Sequence, residues 1–111
     1  MSKLDEKIAK YKESNAKLGL GLDDELIEKA TKALGPSIYK ADAEAVSCSD
    51  DSELERVKTN FLKKKLGLTD EAAMDKAIQE VCEAMKASNR KYRALFYALL
   101  AKKLGKESVY A

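Results

Sequence analysis

The tightest constraint on this chain is the run from Ala94 to Ala101, Ala-Leu-Phe-Tyr-Ala-Leu-Leu-Ala, the one place where eight apolar residues follow one another. On a helix, which turns about 100° per residue, Tyr92, Leu95, Phe96, Leu99 and Leu100 fall on one stripe, and Ala94, Ala98 and Ala101 fall on the other side. A helix that is apolar on both sides is buried on both sides. The alanines either let a second helix approach closely or serve only as strong helix formers; the pattern leaves both open. A run this short cannot span a bilayer, which takes roughly 20 residues. The spacing therefore predicts a buried helix over residues 90–104, with Leu99 in the core.

Composition sets the frame around that helix. The chain has 111 residues, 45% of them hydrophobic and 36% charged, with one proline and five glycines. Little is left for loops, so the expectation is an all-α chain: a compact single-domain bundle, residues 1–111, of five to six short helices around the C-terminal one. A chain of this size buries about two-thirds of its unfolded surface and needs no staple. The beginning, Met1 to Lys7, lacks the apolar stretch of a secretory signal, which points to a cytoplasmic protein. Cys48 and Cys82 have no metal-site spacing and are expected as separate reduced thiols, Cys82 as a small buried hydrophobe.

Punctuation along the chain divides it. Ser2 with Asp5 reads as a helix start, and Leu4, Ile8, Tyr11 and Leu18 hold helical spacing up to Gly19. Asp23 is expected to cap a second helix lined by Leu26, Ala30, Ala33 and Leu34 and stopped by Gly35-Pro36. Ile38 and Tyr39 are expected to plug the core, and residues 41–46 to form a short helix. Asp50 and Glu53 stand at capping-box spacing before Leu54, Val57, Phe61 and Leu62. Thr69 is expected to cap the next helix, lined by Met74, Ala77, Ile78, Val81 and Met85, and Ser88 or Asn89 the central one.

Some of these residues carry a resemblance. Leu34-Gly35-Pro36-Ser37-Ile38-Tyr39, Val57 through Asn60-Phe61-Leu62, Lys64-Lys65-Leu66-Gly67-Leu68, and Lys91-Tyr92-Arg93 with Phe96-Tyr97 resemble a small bacterial family known only as a domain of unknown function. The resemblance covers almost the whole chain. It implies a bacterial cytosolic source and transfers no catalytic residue.

Several functions are disfavoured by what the chain carries. There is no histidine, so the commonest general base and transition-metal ligand are missing. No serine sits in a nucleophile elbow, and no glycine-rich loop could cradle a phosphate. The carboxylate pairs Asp23-Asp24 and Asp50-Asp51 fall at helix starts, where the helix dipole and backbone donors explain them. No Glu-x-x-His motif suggests a bundle metal site. No enzyme, catalytic residue, metal or cofactor is expected. A helix-turn-helix over Phe61 to Ile78 also fails, because its second helix would bring Asp70, Glu71 and Asp75 against DNA phosphates.

Two readings remain. One is a non-catalytic helical interaction or structural protein, with another protein or a second copy of itself as partner. The other is anion or nucleic-acid binding through the C-terminal third, where residues 86–111 carry seven basic side chains and one acidic. The candidate anion-binding residues are Arg90, Lys91 and Arg93, three cations placed where the central helix should begin and its free backbone donors favour an anion. Against this stands pairing within the chain. A tight turn at Ser88 would fold Glu80 and Glu83 back toward Arg90 and Arg93, and the acidic middle, residues 36–61 with six acidic and three basic side chains, would attract the basic end.

Overall fold

The computed structural model describes residues 3–88 and 90–110. The predicted Ser2 cap and the Asn89 alternative lie outside the described residues. The order is α1 (Lys3–Leu18), α2 (Asp24–Leu34), a 3-10 turn (Gly35–Tyr39), α3 (Ala41–Glu44), β1 (Ala45–Val46), α4 (Asp51–Val57), a π-helical segment (Lys58–Lys63), α5 (Glu71–Ala84), β2 (Lys91–Tyr92), α6 (Arg93–Lys103) and a 3-10 turn (Glu107–Tyr110). The chain is all-α in class, with six α-helices among the described residues and one two-stranded ladder. Its radius of gyration is 12.9 Å, as a compact chain of this length gives, roughly 13 Å.

Helix α6 is the axis of the core. Ala94, Leu95, Phe96, Ala98, Leu99, Leu100 and Ala101 are all buried, so the helix is enclosed on both sides. Helix α2 makes the most extensive contact with it, α5 packs on another side, and α1 lies over α2. Rings close the gaps: Phe61 stacks on Tyr97 at 4.1 Å between centroids, and Tyr110 of the docked C-terminal turn lies 6.4 Å from Phe61.

Local chemistry explains the helix ends. Asp50 caps α4 by accepting from the backbone N–H groups of Ser52 and Glu53. The reciprocal half of that capping box is not made, because Glu53 turns its carboxylate to arginines. Helix α5 is capped by Asp70, which accepts from Ala73 N–H, not by Thr69; a carboxylate at the positive end of a helix gains from the dipole as well as the hydrogen bond. Gly35 and Gly67 sit at φ 61° and 70°, backbone that a side chain would strain. In the π-helical segment, Leu66 N–H reaches back five residues to Phe61 C=O, at 2.9 Å. Asn15 is a bonded amide, its Nδ2 donating to Leu22 C=O and its Oδ1 accepting from Leu22 N–H.

The structure corrects four further expectations. Ile38 does plug the core, but Tyr39 is 47% exposed, because the 3-10 turn sends neighbouring side chains in different directions. The helix over residues 41–46 ends at Glu44, and Ala45–Val46 pairs antiparallel with Lys91–Tyr92, Ala45 opposite Tyr92 and Val46 opposite Lys91. That ladder takes up backbone groups of residues 91–92, so α6 begins at Arg93 and not at residue 90. Cys48 and Cys82 are joined, with 6.0 Å between Cα atoms, because the segment after β1 runs beside α5.

Candidate functional site

The β1–β2 ladder brings the acidic middle of the chain against the basic end. Its centre is Glu44, the last residue of α3, only 5% exposed. Lys7 and Lys10 of α1 reach Glu44 Oε2 at 2.8 and 3.1 Å. Tyr11 donates its hydroxyl to the same oxygen at 2.7 Å, and Arg90 donates to Oε1 at 3.1 Å. Burial alone would raise the Glu44 pKa. The hydrogen bonds from Lys7, Tyr11, Lys10 and Arg90 outweigh it and hold the carboxyl at about 2. Tyr11 is affected in the opposite sense, its phenol pushed well above the ordinary range by burial and by the Glu44 carboxylate.

Glu53 makes a second centre. It accepts from Arg56 at 2.7 Å and from Arg93. Burial would raise its carboxyl too, but the two arginines hold it below the usual range. Arg93 also donates from Nε to Ala43 C=O at 2.7 Å and from Nη1 to Tyr97 Oη at 3.0 Å. Its guanidinium thus pins the α3–β1 segment to the start of α6.

The three predicted cations therefore go to different places. Only Arg93 lies in the first turn of α6, and it is committed to Glu53 and to backbone carbonyls. Arg90 and Lys91 precede the helix. They line a surface cleft of about 570 Å³ together with Ala41, Asp42 and the Ala45 to Ser49 stretch. Arg90 Nη2 is anchored by Ala41 C=O at 2.9 Å as well as by Glu44, and Lys91 Nζ donates to Ser88 C=O at 3.2 Å. Glu83, proposed as a partner for the arginines, pairs with Lys86 at 2.6 Å instead. The arginines are paired within the chain, but by Glu44 and Glu53, which precede them by more than thirty residues.

The site draws in residues that sequence reasoning did not assign to it: Lys7, Lys10, Glu44, Ser47 and Ser49, with Tyr11 read only as a stripe residue and Glu53 only as half of a capping box. The only signal for them was the opposition of an acidic middle and a basic end, which does not name individual residues. A comparable arrangement ties α4 to α5. The largely buried Lys58 side chain brings its ammonium to Asp75 at 3.1 Å, Glu71 at 3.3 Å and Glu55 at 3.5 Å, and the hydrogen bond to Asp75 is the main cause that lifts its pKa to about 12.

Among the described residues no group of three or more histidine, cysteine, aspartate or glutamate side chains is gathered to hold a metal ion. Among the same residues no helix is long and apolar enough to cross a membrane. No curated protein matches the chain. Residues 5–108 do match one family, described as "Protein of unknown function (DUF2853)", and since that match takes in nearly every element of the bundle, ladder and both carboxylate centres included, the chain belongs to this family.

Proposed function

We propose that this is a non-catalytic binding protein, and that its recognition surface is the cleft at Arg90 and Lys91, which takes an anionic group carried by a partner protein. One observation carries the reading. Two carboxylates, Glu44 and Glu53, are met by five cations: Lys7, Lys10 and Arg90 on the first, Arg56 and Arg93 on the second. Neutrality would need only two. Lys91 adds a further cation, and Asp42 is the one acidic residue lining the cleft. With Asp42 counted too, the six cations exceed the three carboxylates at this corner, though Asp50 and Asp51 follow the cleft wall in sequence, and a local excess of positive charge draws anions and speeds their encounter.

Preorganisation supports the same reading. Arg90 is already held by Glu44 and Ala41, so little side-chain freedom is lost when an anion arrives. Its planar fork suits a phosphate or carboxylate, and the hydroxyls of Ser47 and Ser49 stand in the lining as further donors. Nucleic acid fits less well. Bases need free aromatic faces for stacking, whereas Tyr11 packs on Tyr92 and Phe61 on Tyr97. Lys102, at the other end of α6, donates to Gly21 C=O.

The test is an NMR titration of isotope-labelled protein at low salt with inorganic phosphate, a phosphoserine-containing acidic peptide and a single-stranded RNA. The expected result is saturable shifts of the Ser47–Ser49 and Arg90–Lys91 amides with phosphate and peptide, the peptide binding more tightly. Arg90→Ala with Lys91→Ala should abolish them. No shift with any probe overturns the reading, and binding of RNA alone replaces it with the nucleic-acid one.

A further inference from the structure

We infer that the Cys48–Cys82 disulfide is a redox lock on the anion cleft: closed, it fixes the wall that carries Ser47 and Ser49; open, it releases that wall and weakens the site. The inference rests on the cleft being the recognition surface proposed above.

The wall is built unevenly. Its first part is held by backbone: Ala45 and Val46 pair with Tyr92 and Lys91, Val46 is buried, and Arg93 donates to Ala43 C=O. From Asp50 onward the chain is held again by the capped start of α4. Between them lie Ser47, Cys48 and Ser49. The hydrogen bonds of this stretch are local: Ser47 Oγ and Ser49 Oγ share one at 3.2 Å, and Asp50 N–H donates to Ser47 C=O at 3.3 Å, while the Cys48 side chain packs against the core. The covalent tie from this stretch to the body of the fold is the sulfur bridge to Cys82 of α5, 34 residues away in sequence.

The bridge is placed to be worked. Both cysteines are half-buried, not sealed, and Cys48 lines the cleft beside Arg90 and Lys91. Neighbouring cations stabilise a thiolate, which makes Cys48 the better leaving sulfur. A thiolate of a small dithiol would attack Cys82 Sγ. The S–S bond breaks, Cys48 leaves as thiolate and takes a proton from solvent. The second sulfur of the dithiol then attacks the mixed disulfide and frees Cys82. Two electrons and two protons pass to the cysteine pair, and the dithiol is oxidised to its own disulfide.

Coupling must run both ways. If closing the bridge tightens the anion site by some factor, bound anion disfavours reduction by the same factor. The experiment compares air-oxidised protein, dithiothreitol-reduced protein and the Cys48→Ala, Cys82→Ala double variant, with inorganic phosphate as probe. Alkylation and mass spectrometry verify the thiol state, and circular dichroism verifies the fold. Reduction is expected to raise the phosphate Kd by about fivefold or more, the usual lower range of coupling between sites. The double variant should match the reduced protein, and phosphate should shift the thiol–disulfide equilibrium by that same factor. Amide hydrogen exchange supplies a readout without any anion: Ser47–Ser49 should exchange faster on reduction while α6 stays protected. Equal Kd values in both thiol states overturn the lock and leave the anion reading standing. Unchanged exchange at Ser47–Ser49, or two free thiols after air oxidation, overturns the lock whether or not phosphate binds. Faster exchange without phosphate binding in either state refutes the anion reading, and with it the claim that the bridge controls a site.

Discussion

The middle of α6 and the corner at its N-terminal end are held by opposite means. From Ala94 to Ala101 the helix is secured mainly by apolar contact on both sides, and the partly buried Tyr97, whose hydroxyl accepts from Arg93, marks its polar edge. At the corner, Glu44 and Glu53 are nearly as enclosed but are held by named donors in fixed directions. An apolar core tolerates approximate placement, since burial depends on area removed from water. A buried carboxylate is stable only while its partners stay in place. The first region is therefore expected to be indifferent to pH and thiol state, and the second to respond to both.

The largest expected effect tests the first region. Phe96→Ala removes a fully buried ring and should lower stability by about 3–5 kcal/mol, transfer and cavity combined; Leu99→Ala should cost about 2–5 kcal/mol. Denaturant unfolding is the measurement, and a loss below about 1 kcal/mol would mean α6 is not the axis of the core. Next comes the bridge. Replacing Cys48 and Cys82 by alanine should lower thermal stability by about 2–4 kcal/mol through the freer unfolded chain, an effect that reduction of the wild type should reproduce.

Glu44→Ala should cost about 2–3 kcal/mol. It strands the buried Tyr11 hydroxyl, but Lys7, Lys10 and Arg90 reach water and recover part of their solvation. The same residue gives the corner its pH dependence. Its folded pKa of about 2 lies below the ordinary 4.5. Glu44 therefore contributes stability above about pH 4.5, and that contribution is lost as pH falls toward 2. Chemical unfolding at stepped pH should show this loss in wild type, less of it in Glu44→Gln, and the full loss in Phe96→Ala; equal slopes in all three would break the contrast between the regions. The smallest effect belongs to the exposed ring: Tyr39→Ser should change stability by no more than about 0.5 kcal/mol, by the same unfolding measurement.

The core was legible because its signal is periodic. Leu26, Phe61, Met74 and Leu99 stand at spacings that only helices make useful, and the glycine stops mark where helices end. Start positions slipped where neighbours compete for one role, as Thr69 and Asp70 do. The charged corner was barely legible. Arg90 and Lys91 were found as cations, but the opposite wall of their cleft comes from residues 41–49, brought there by a ladder of two residues on each strand and by the long-range bonds of Arg90 and Arg93.

The sequence by itself determined the all-α class, the burial of α6 on both sides and the general attraction of an acidic middle for a basic end, because hydrophobic periodicity and net charge are properties of a segment alone. Tertiary structure decided that α6 begins at Arg93, that Arg90 and Arg93 go to Glu44 and Glu53 and not to Glu80 and Glu83, and that Cys48 meets Cys82. Each of those is a choice among several chemically equivalent partners. Only the path of the chain, fixed by where the core lets each segment lie, brings one of them within reach.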